Sequence, residues 1–124
     1  MILPPYAELL GLSVESSGDG PVLLMPFGTA VVGRPGFVHG GALGGLLEMA
    51  AIVTLRHALD DPAVVAKPIN LTVDYMRGGR DKDTRAVGTV RRLGTRIANV
   101  DAAAWQDDPA NPIAAARLTF LLKR

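Results

Sequence analysis

The spacing of apolar and polar positions changes once along the chain, and that change separates one long helix from a set of strands. The stretch "GGALGGLLEMAAIVTLRHAL" is apolar or small on nearly every side of a helical wheel, as in a helix enclosed by the rest of its fold. It is expected to run from about Gly40 or Gly41 to about Leu59, where "DDP" stops it. After it come "INLTVDYMR", "TRAVGTVRRL", "RIANVDAAAW" and "PIAAARLTFLL", segments of strand length with much alternation, separated by the turn signals "RGGRDKD", "LGT" and "DDPANP". Four consecutive strands on hairpin-type loops predict an antiparallel meander. Ahead of the helix, Pro4 and Pro5 open a short helix, "YAELLG", that Gly11 closes. "LSVESSGDGP" reads as a strand and turn, "VLLMPF" as a short strand with Pro26 at an edge, and "GTAVVGRPGF" as a loop. A buried helix with an antiparallel sheet wrapped round it is an α+β architecture, and residues 1–124 are expected to form one domain.

Two features of the long helix exceed what a structural element requires. Every residue from Ala42 to Leu55 other than Glu48 and Thr54 is apolar or small. Burying an unpaired carboxylate is costly, so Glu48 is salvaged by a partner, tolerated at an exposed edge, or kept for chemistry. The second feature is the set Gly40, Gly41, Gly44 and Gly45, each of which costs about 1 kcal/mol relative to alanine in a helix interior. Something must approach the first two turns closely.

Composition removes several classes of function. Thirteen Lys and Arg against twelve Asp and Glu give a net charge of +1, with no basic block and five per cent aromatic residues, so nucleic-acid binding has little support. The absence of cysteine removes thiolate metal sites and a cysteine nucleophile and fits a reducing compartment, so the cytoplasm is the expected location. "MILPPYAELLGL" lacks the basic and apolar regions of a secretory signal, and Ala42 to Leu55 is too short and glycine-rich to span a bilayer; no membrane insertion is expected. His39 and His57 stand eighteen residues apart, which is not a zinc-ligand spacing, and no metal is expected.

The reactive inventory that remains is small. Ser13, Ser16 and Ser17 sit in an early polar turn and none lies in G-x-S-x-G. "HGGALGG" is neither a dinucleotide fingerprint nor a phosphate loop with its lysine. What is left is a helix that starts at "VHGG" and carries Glu48 in its middle. The first amides of a helix point outward with partial positive charge, which suits a developing oxyanion, and Gly40 and Gly41 leave room for a carbonyl to reach them. A desolvated carboxylate is the stronger base and nucleophile. Gly41 and Glu48, seven residues apart, lie on nearly the same face but about 10 Å apart along the axis. One helix cannot hold a single reacting carbon between them. Two helices packed antiparallel across a two-fold axis can, because the start of one then faces the glutamate of the other.

Plainer readings of the same residues stay open at this point. Glu48 is also the kind of residue that pairs in a core, for example with Arg77 or Arg96. His39 is also a capping residue, and His57, beside Asp60 and Asp61, a solvated one favoured by the helix dipole. Arg77, Arg80, Arg91, Arg92 and Arg96 are also ordinary surface charges at strand ends.

At "GFVHGGALGGLLE" the chain resembles a hotdog-fold thioesterase of the phenylacetic-acid-degradation type and its hydroxybenzoyl-CoA and menaquinone-pathway relatives, whose signature is G-x-x-H-G-G with an acid seven places after the second glycine. "LTVDYMRGG", "RRLGTR" and "ARLTFLL" extend the resemblance over nearly the whole chain. It implies the hotdog fold, a homodimer or tetramer, and hydrolysis of an acyl-CoA thioester with no cofactor beyond the coenzyme A of the substrate. By position, Glu48 would be the catalytic carboxylate, attacking directly or activating water, and the Gly41 amide would polarise the thioester carbonyl from the neighbouring subunit. His39 would help place the thioester. Tyr75, Met76, Arg77 and Gly78, with the turn Arg92, Leu93, Gly94, Thr95 and Arg96, would line the coenzyme A path, arginines pairing with phosphates. Two departures stand out: Gly33 where many relatives carry Asn or Gln, and Ile52 where they carry Ser or Thr, with Thr54 the nearest substitute hydroxyl. A dehydratase or hydratase of this fold pairs its acid with a histidine, and fourteen places before Glu48 stands Arg34 instead. A protein that binds acyl-CoA without cleaving it is the remaining alternative, and the acyl group is unspecified.

Overall fold

The computed structural model describes residues 3–17 and 19–124; Met1, Ile2 and Gly18, which belong to the N-terminal stretch and the first expected turn, lie outside it. Pro4 caps helix α1 (Pro5–Leu9), and Gly11, at φ 71°, turns the chain out of it. Strands β1 (Ser13–Ser17) and β2 (Gly20–Met25) follow, then an irregular segment, helix α2 (Gly40–Leu59), and strands β3 (Val65–Tyr75), β4 (Thr84–Leu93), β5 (Ile97–Trp105) and β6 (Ala114–Lys123). All six strands form one antiparallel sheet in the order β1-β2-β4-β5-β6-β3. β2 stops at Met25, so Pro26 costs no ladder bond even though β2 lies inside the sheet.

The sheet curls round α2, which touches every strand from β2 to β6. Leu46, Leu47, Val53 and Leu55 of the helix are fully buried with Leu23 and Met25 of β2, Val100 of β5 and Leu118 and Phe120 of β6. Alternate residues of β2, β5 and β6 face this core, which is the period-two pattern of a sheet covered on one side. The expected α+β arrangement, one helix wrapped by an antiparallel sheet, is what forms. At its far end α2 stops at Asp60, whose left-handed φ of 49° lets its N–H return to the Arg56 carbonyl at 3.1 Å, while Asp61 Oδ1 accepts from Ala63 N–H.

Two expectations need correction. The helix is 20 residues long, roughly 30 Å, so by length and composition alone it would cross a membrane. The length argument against insertion therefore fails; what sets α2 apart from a membrane span is that the sheet buries most of it. The second correction concerns the meander. Of the four strands after α2, only β4, β5 and β6 are consecutive neighbours; β3 pairs with β6, at the far edge, and residues 76–83 cross the end of the sheet to reach β4. β3 also begins earlier than expected, at Val65, and contains Pro68 beside a register shift. An edge position tolerates that proline because one side of the strand has no ladder bond to lose. A hairpin and this crossover leave β3 and β4 with the same relative direction, so alternation and turn residues cannot tell them apart.

Candidate active site

The start of α2 is built by His39. Its Nδ1 accepts the Gly41 N–H at 2.8 Å, and its carbonyl accepts from Ala42 at 3.0 Å and Leu43 at 3.1 Å. His39 is thus the N-cap, the plainer of its two readings. Because an amide only donates, Nδ1 holds the lone pair and the ring proton of the neutral side chain is on Nε2. The Gly41 N–H that an oxyanion would need is already engaged. On the other side of the helix start, Tyr75 Oη donates to the Gly40 carbonyl at 2.8 Å.

The glycines of α2 have identifiable neighbours, and most belong to the same chain. A Cβ added at Gly40 or Gly44 would meet the Tyr75 side chain at 3.5 or 3.6 Å, and one at Gly45 would come within 2.7 Å of the Tyr6 ring and 3.1 Å of Leu10. The close approach that these three glycines permit is made by β3 and α1 of the same chain. Gly41 differs: its Cβ would touch nothing but the ring of its own cap, at 2.9 Å. Glu48 lies on the same face of α2 as these glycines, about one turn beyond Gly44 and Gly45. Gly41, Gly44, Gly45 and Glu48 share one face of α2 over about 10 Å; Tyr75 and Tyr6 cover the two glycines between, so the face is open at Gly41 and reaches a carboxylate at Glu48.

Glu48 is half-buried, and among the described residues it makes no ion pair and no side-chain hydrogen bond. The pairing with Arg77 or Arg96 is not formed. Ile52, one turn further on, is buried and apolar. Thr54 does not replace its missing hydroxyl: it faces β4, where a Cβ on Gly88 would come within 2.7 Å of Thr54 Oγ1, and that oxygen is buried without a partner. Six residues from Glu48, it lies about 120° round the helix.

A groove of about 320 Å³ opens at the start of α2, lined by Tyr6, Leu10, Val32, His39, Gly41 and Ala42. Glu48 is not among its walls. A larger hollow, about 640 Å³, lies at the other end of α2 between Arg56, His57, Leu59 and the first residues of β3, and holds none of the expected site residues. His39 and His57 are separated by the length of the helix, about 27 Å, and share no site within a chain.

The two segments expected to meet coenzyme A fall at opposite ends of the sheet. Tyr75 stands at the start of α2; the N–H groups of Met76 and Arg77 both donate to the Ile113 carbonyl, and Gly78 lies against Phe37. The turn Arg92 to Arg96 is at the other end, since Tyr75 is level with Ala114 and Ala104, whereas Ile97 is level with Leu121. Seven strand residues separate these levels, about 23 Å. Leu122 N–H to the Arg96 carbonyl, Gly94 N–H to the Ile97 carbonyl and Arg124 Nε to the Thr95 carbonyl hold that turn. One chain therefore gathers His39, Gly41, Tyr75 and Gly78, keeps Glu48 two turns away, and leaves Arg92, Leu93, Gly94, Thr95 and Arg96 remote.

Gly33 has a steric reason. Its position is so close to the cap that a Cβ would lie 3.0 Å from His39 Cα, a backbone atom that cannot swing aside. Residues missed by sequence reasoning also appear here: Tyr6, which covers Gly45, and Phe37, whose ring centroid lies 4.2 Å from the Arg34 guanidinium carbon and 4.4 Å from that of Arg80. Arg34 and Arg80 are 46 positions apart, and no local pattern joins them.

A helix that starts at His-Gly-Gly, carries an acid two turns on and is wrapped by an antiparallel sheet defines a hotdog protein of the thioesterase class. The pattern of the thioesterase superfamily matches residues 35–113, and the chain belongs to that family. It is 33% identical to a protein of Chromobacterium violaceum whose crystal structure aligns over 97% of this chain and 84% of that one, with a TM-score of 0.80. A Bacillus halodurans protein crystallised with CoA is 22% identical and shares the fold, with a TM-score of 0.86 over 98% of this chain and 80% of that one. A protein of Halobacterium salinarum that carries an esterase name is 34% identical over 95 residues, 73% of this chain and 62% of that protein, so the match spans less than two thirds of that relative. The resemblance seen in the HGG motif is borne out at the level of family and fold.

Proposed function

We propose that the protein hydrolyses acyl-CoA thioesters in the cytoplasm, as a homodimer or a tetramer of such dimers, each site combining the start of α2 in one subunit with Glu48 of the other. The observation that carries this reading is the placement, on one face of α2, of an open helix start at Gly41 and a half-buried carboxylate at Glu48 that is unpaired among the described residues. The two lie about 10 Å apart, too far for both to serve one carbon unless a second helix reverses their order. An exposed apolar edge supports the pairing of subunits: Val65, Ile69, Leu71 and Tyr75 of β3 are open on a strand with one free side. The CoA carried by the Bacillus halodurans protein supports the class of substrate.

The chemistry follows from what each group can do. The thioester carbonyl displaces His39 Nδ1 from the Gly41 N–H, at the expense of a cap worth about 1 kcal/mol, and gains the positive end of the helix. The partner's Glu48 removes a proton from water as the oxygen attacks the carbonyl carbon, or attacks directly to give an anhydride that water then opens. Collapse of the tetrahedral intermediate breaks the C–S bond, and the CoA thiolate leaves and takes a proton. Ile52 and the engaged Gly41 amide favour a second reading, a protein that holds acyl-CoA without turnover, which predicts binding with no thiol release.

The test mixes two variants, Glu48→Gln and Gly41→Leu, each expected to lose at least about 100-fold in kcat. In a mixed dimer one site carries both lesions and the other neither, so random exchange should restore about a quarter of wild-type thiol release. Exchange without recovery places each site within one chain and overturns the shared-site reading.

A further inference from the structure

Phe37 is where the segment before α2 meets the crossover that follows β3. It forms a short antiparallel bridge with Arg80, and its N–H donates to the Arg34 carbonyl at 2.9 Å. Its ring carries both guanidinium groups, and Gly78 packs so close that an added Cβ would sit 3.1 Å from the ring. Gln106 fixes the backbone of Arg80 from the far side, accepting its N–H at 2.8 Å and donating to its carbonyl at 2.9 Å and to Thr84 Oγ1 at 3.1 Å. The backbone of the cluster is therefore set before any ligand arrives.

Two cations on one ring repel each other, and the ring faces offset this only in part. Neither arginine has a carboxylate within ion-pair distance among the described residues, although Asp81 and Asp83 share a loop with Arg80 and the neighbouring Lys82 pairs with Asp107. The two guanidinium carbons are less than about 9 Å apart, a span that the oxygens of a phosphoryl or diphosphate group bridge through charge-assisted bonds. An anion there pairs with two guanidinium groups that no carboxylate among the described residues engages.

We propose that Arg34 and Arg80, carried on Phe37, form an anion clamp for a phosphoryl group at the nucleotide end of the substrate. It lies against the Tyr75 to Gly78 segment, at the same end of the sheet as His39 and Gly41, whereas Arg92 and Arg96 of the same subunit are remote. The assignment to the substrate rests on the acyl-CoA reading above; the clamp itself rests on the stack.

Two measurements separate these. Calorimetric titration with inorganic pyrophosphate should show binding by the wild-type protein that added salt weakens, and at least a tenfold loss in Arg34→Gln/Arg80→Gln. In thiol release, the same double variant should lower the preference for acyl-CoA over the matching N-acetylcysteamine thioester, which has no phosphate, by at least tenfold in kcat/KM. Pyrophosphate binding equal in wild type and variant overturns the clamp, even if thioesters are hydrolysed. Arginine-dependent pyrophosphate binding in a protein that cleaves no thioester sustains the clamp and removes the hydrolysis reading, leaving acyl-CoA binding without turnover. An unchanged preference between the two thioesters, with hydrolysis intact, shows that the clamp does not hold the substrate.

Discussion

The two ends of the sheet both present arginines and a turn, yet they are built differently. At the α2 start, side chains hold backbone: His39 takes the Gly41 N–H, Tyr75 gives its hydroxyl to the Gly40 carbonyl, Gln106 brackets Arg80, and Gly33 and Gly78 admit neighbours that a Cβ would repel. At the other end the turn Arg92 to Arg96 is held by backbone pairs and by Arg124, with its arginines exposed. The first end is preorganised within one chain, because polar contacts that cross between loops fix its backbone. The second end is an exposed turn that the chain keeps remote from the start of α2.

That contrast can be broken most strongly at Gly33. Gly33→Ala puts a Cβ against the His39 backbone, and the resulting overpacking should lower stability by about 1–3 kcal/mol in urea denaturation. An unchanged midpoint would mean that the loop gives way freely and that the α2 start is not rigid. A smaller effect is expected from Tyr75→Phe, which removes the hydroxyl from the Gly40 carbonyl; about 0.5–1.5 kcal/mol should be lost, with faster amide exchange at the first turn of α2. If exchange there is unaltered, Tyr75 does not brace the helix. The smallest effects belong to the far end. Arg92→Ala or Arg96→Ala should leave stability within about 0.5 kcal/mol and raise KM for acyl-CoA by about two- to fivefold while sparing kcat, an effect that salt mimics in the wild type. A loss of stability as large as that at Gly33 would erase the distinction between the ends.

How much of this was legible in advance follows from the range of each interaction. The bounds of α2, its cap at His39 and its stop at Asp60 were readable because capping and termination are decided within a few residues. The strands of β4, β5 and β6 were readable from alternation, and their order from short turns. β3 was misplaced because a strand that leaves its neighbour for the far edge keeps the same alternation and the same direction. Pro68 fits an edge strand, but the alternation that predicts β3 starts only at Ile69, past the proline. The four glycines announced a close approach without naming what approached, and Tyr6, Leu10 and Tyr75 supply it from elements far away in sequence.

The sequence by itself determined the elements, the buried helix, the motif that marks the family, and the 10 Å between Gly41 and Glu48, since all of these rest on local geometry and a fixed helical rise. Only the tertiary structure decided which end of the sheet each arginine occupies, that the Gly41 amide is held by its own cap, that Glu48 has no partner among the described residues, and that Arg34 and Arg80 meet on Phe37. Those depend on chain crossings and contacts between distant residues, which no repeat period or spacing encodes.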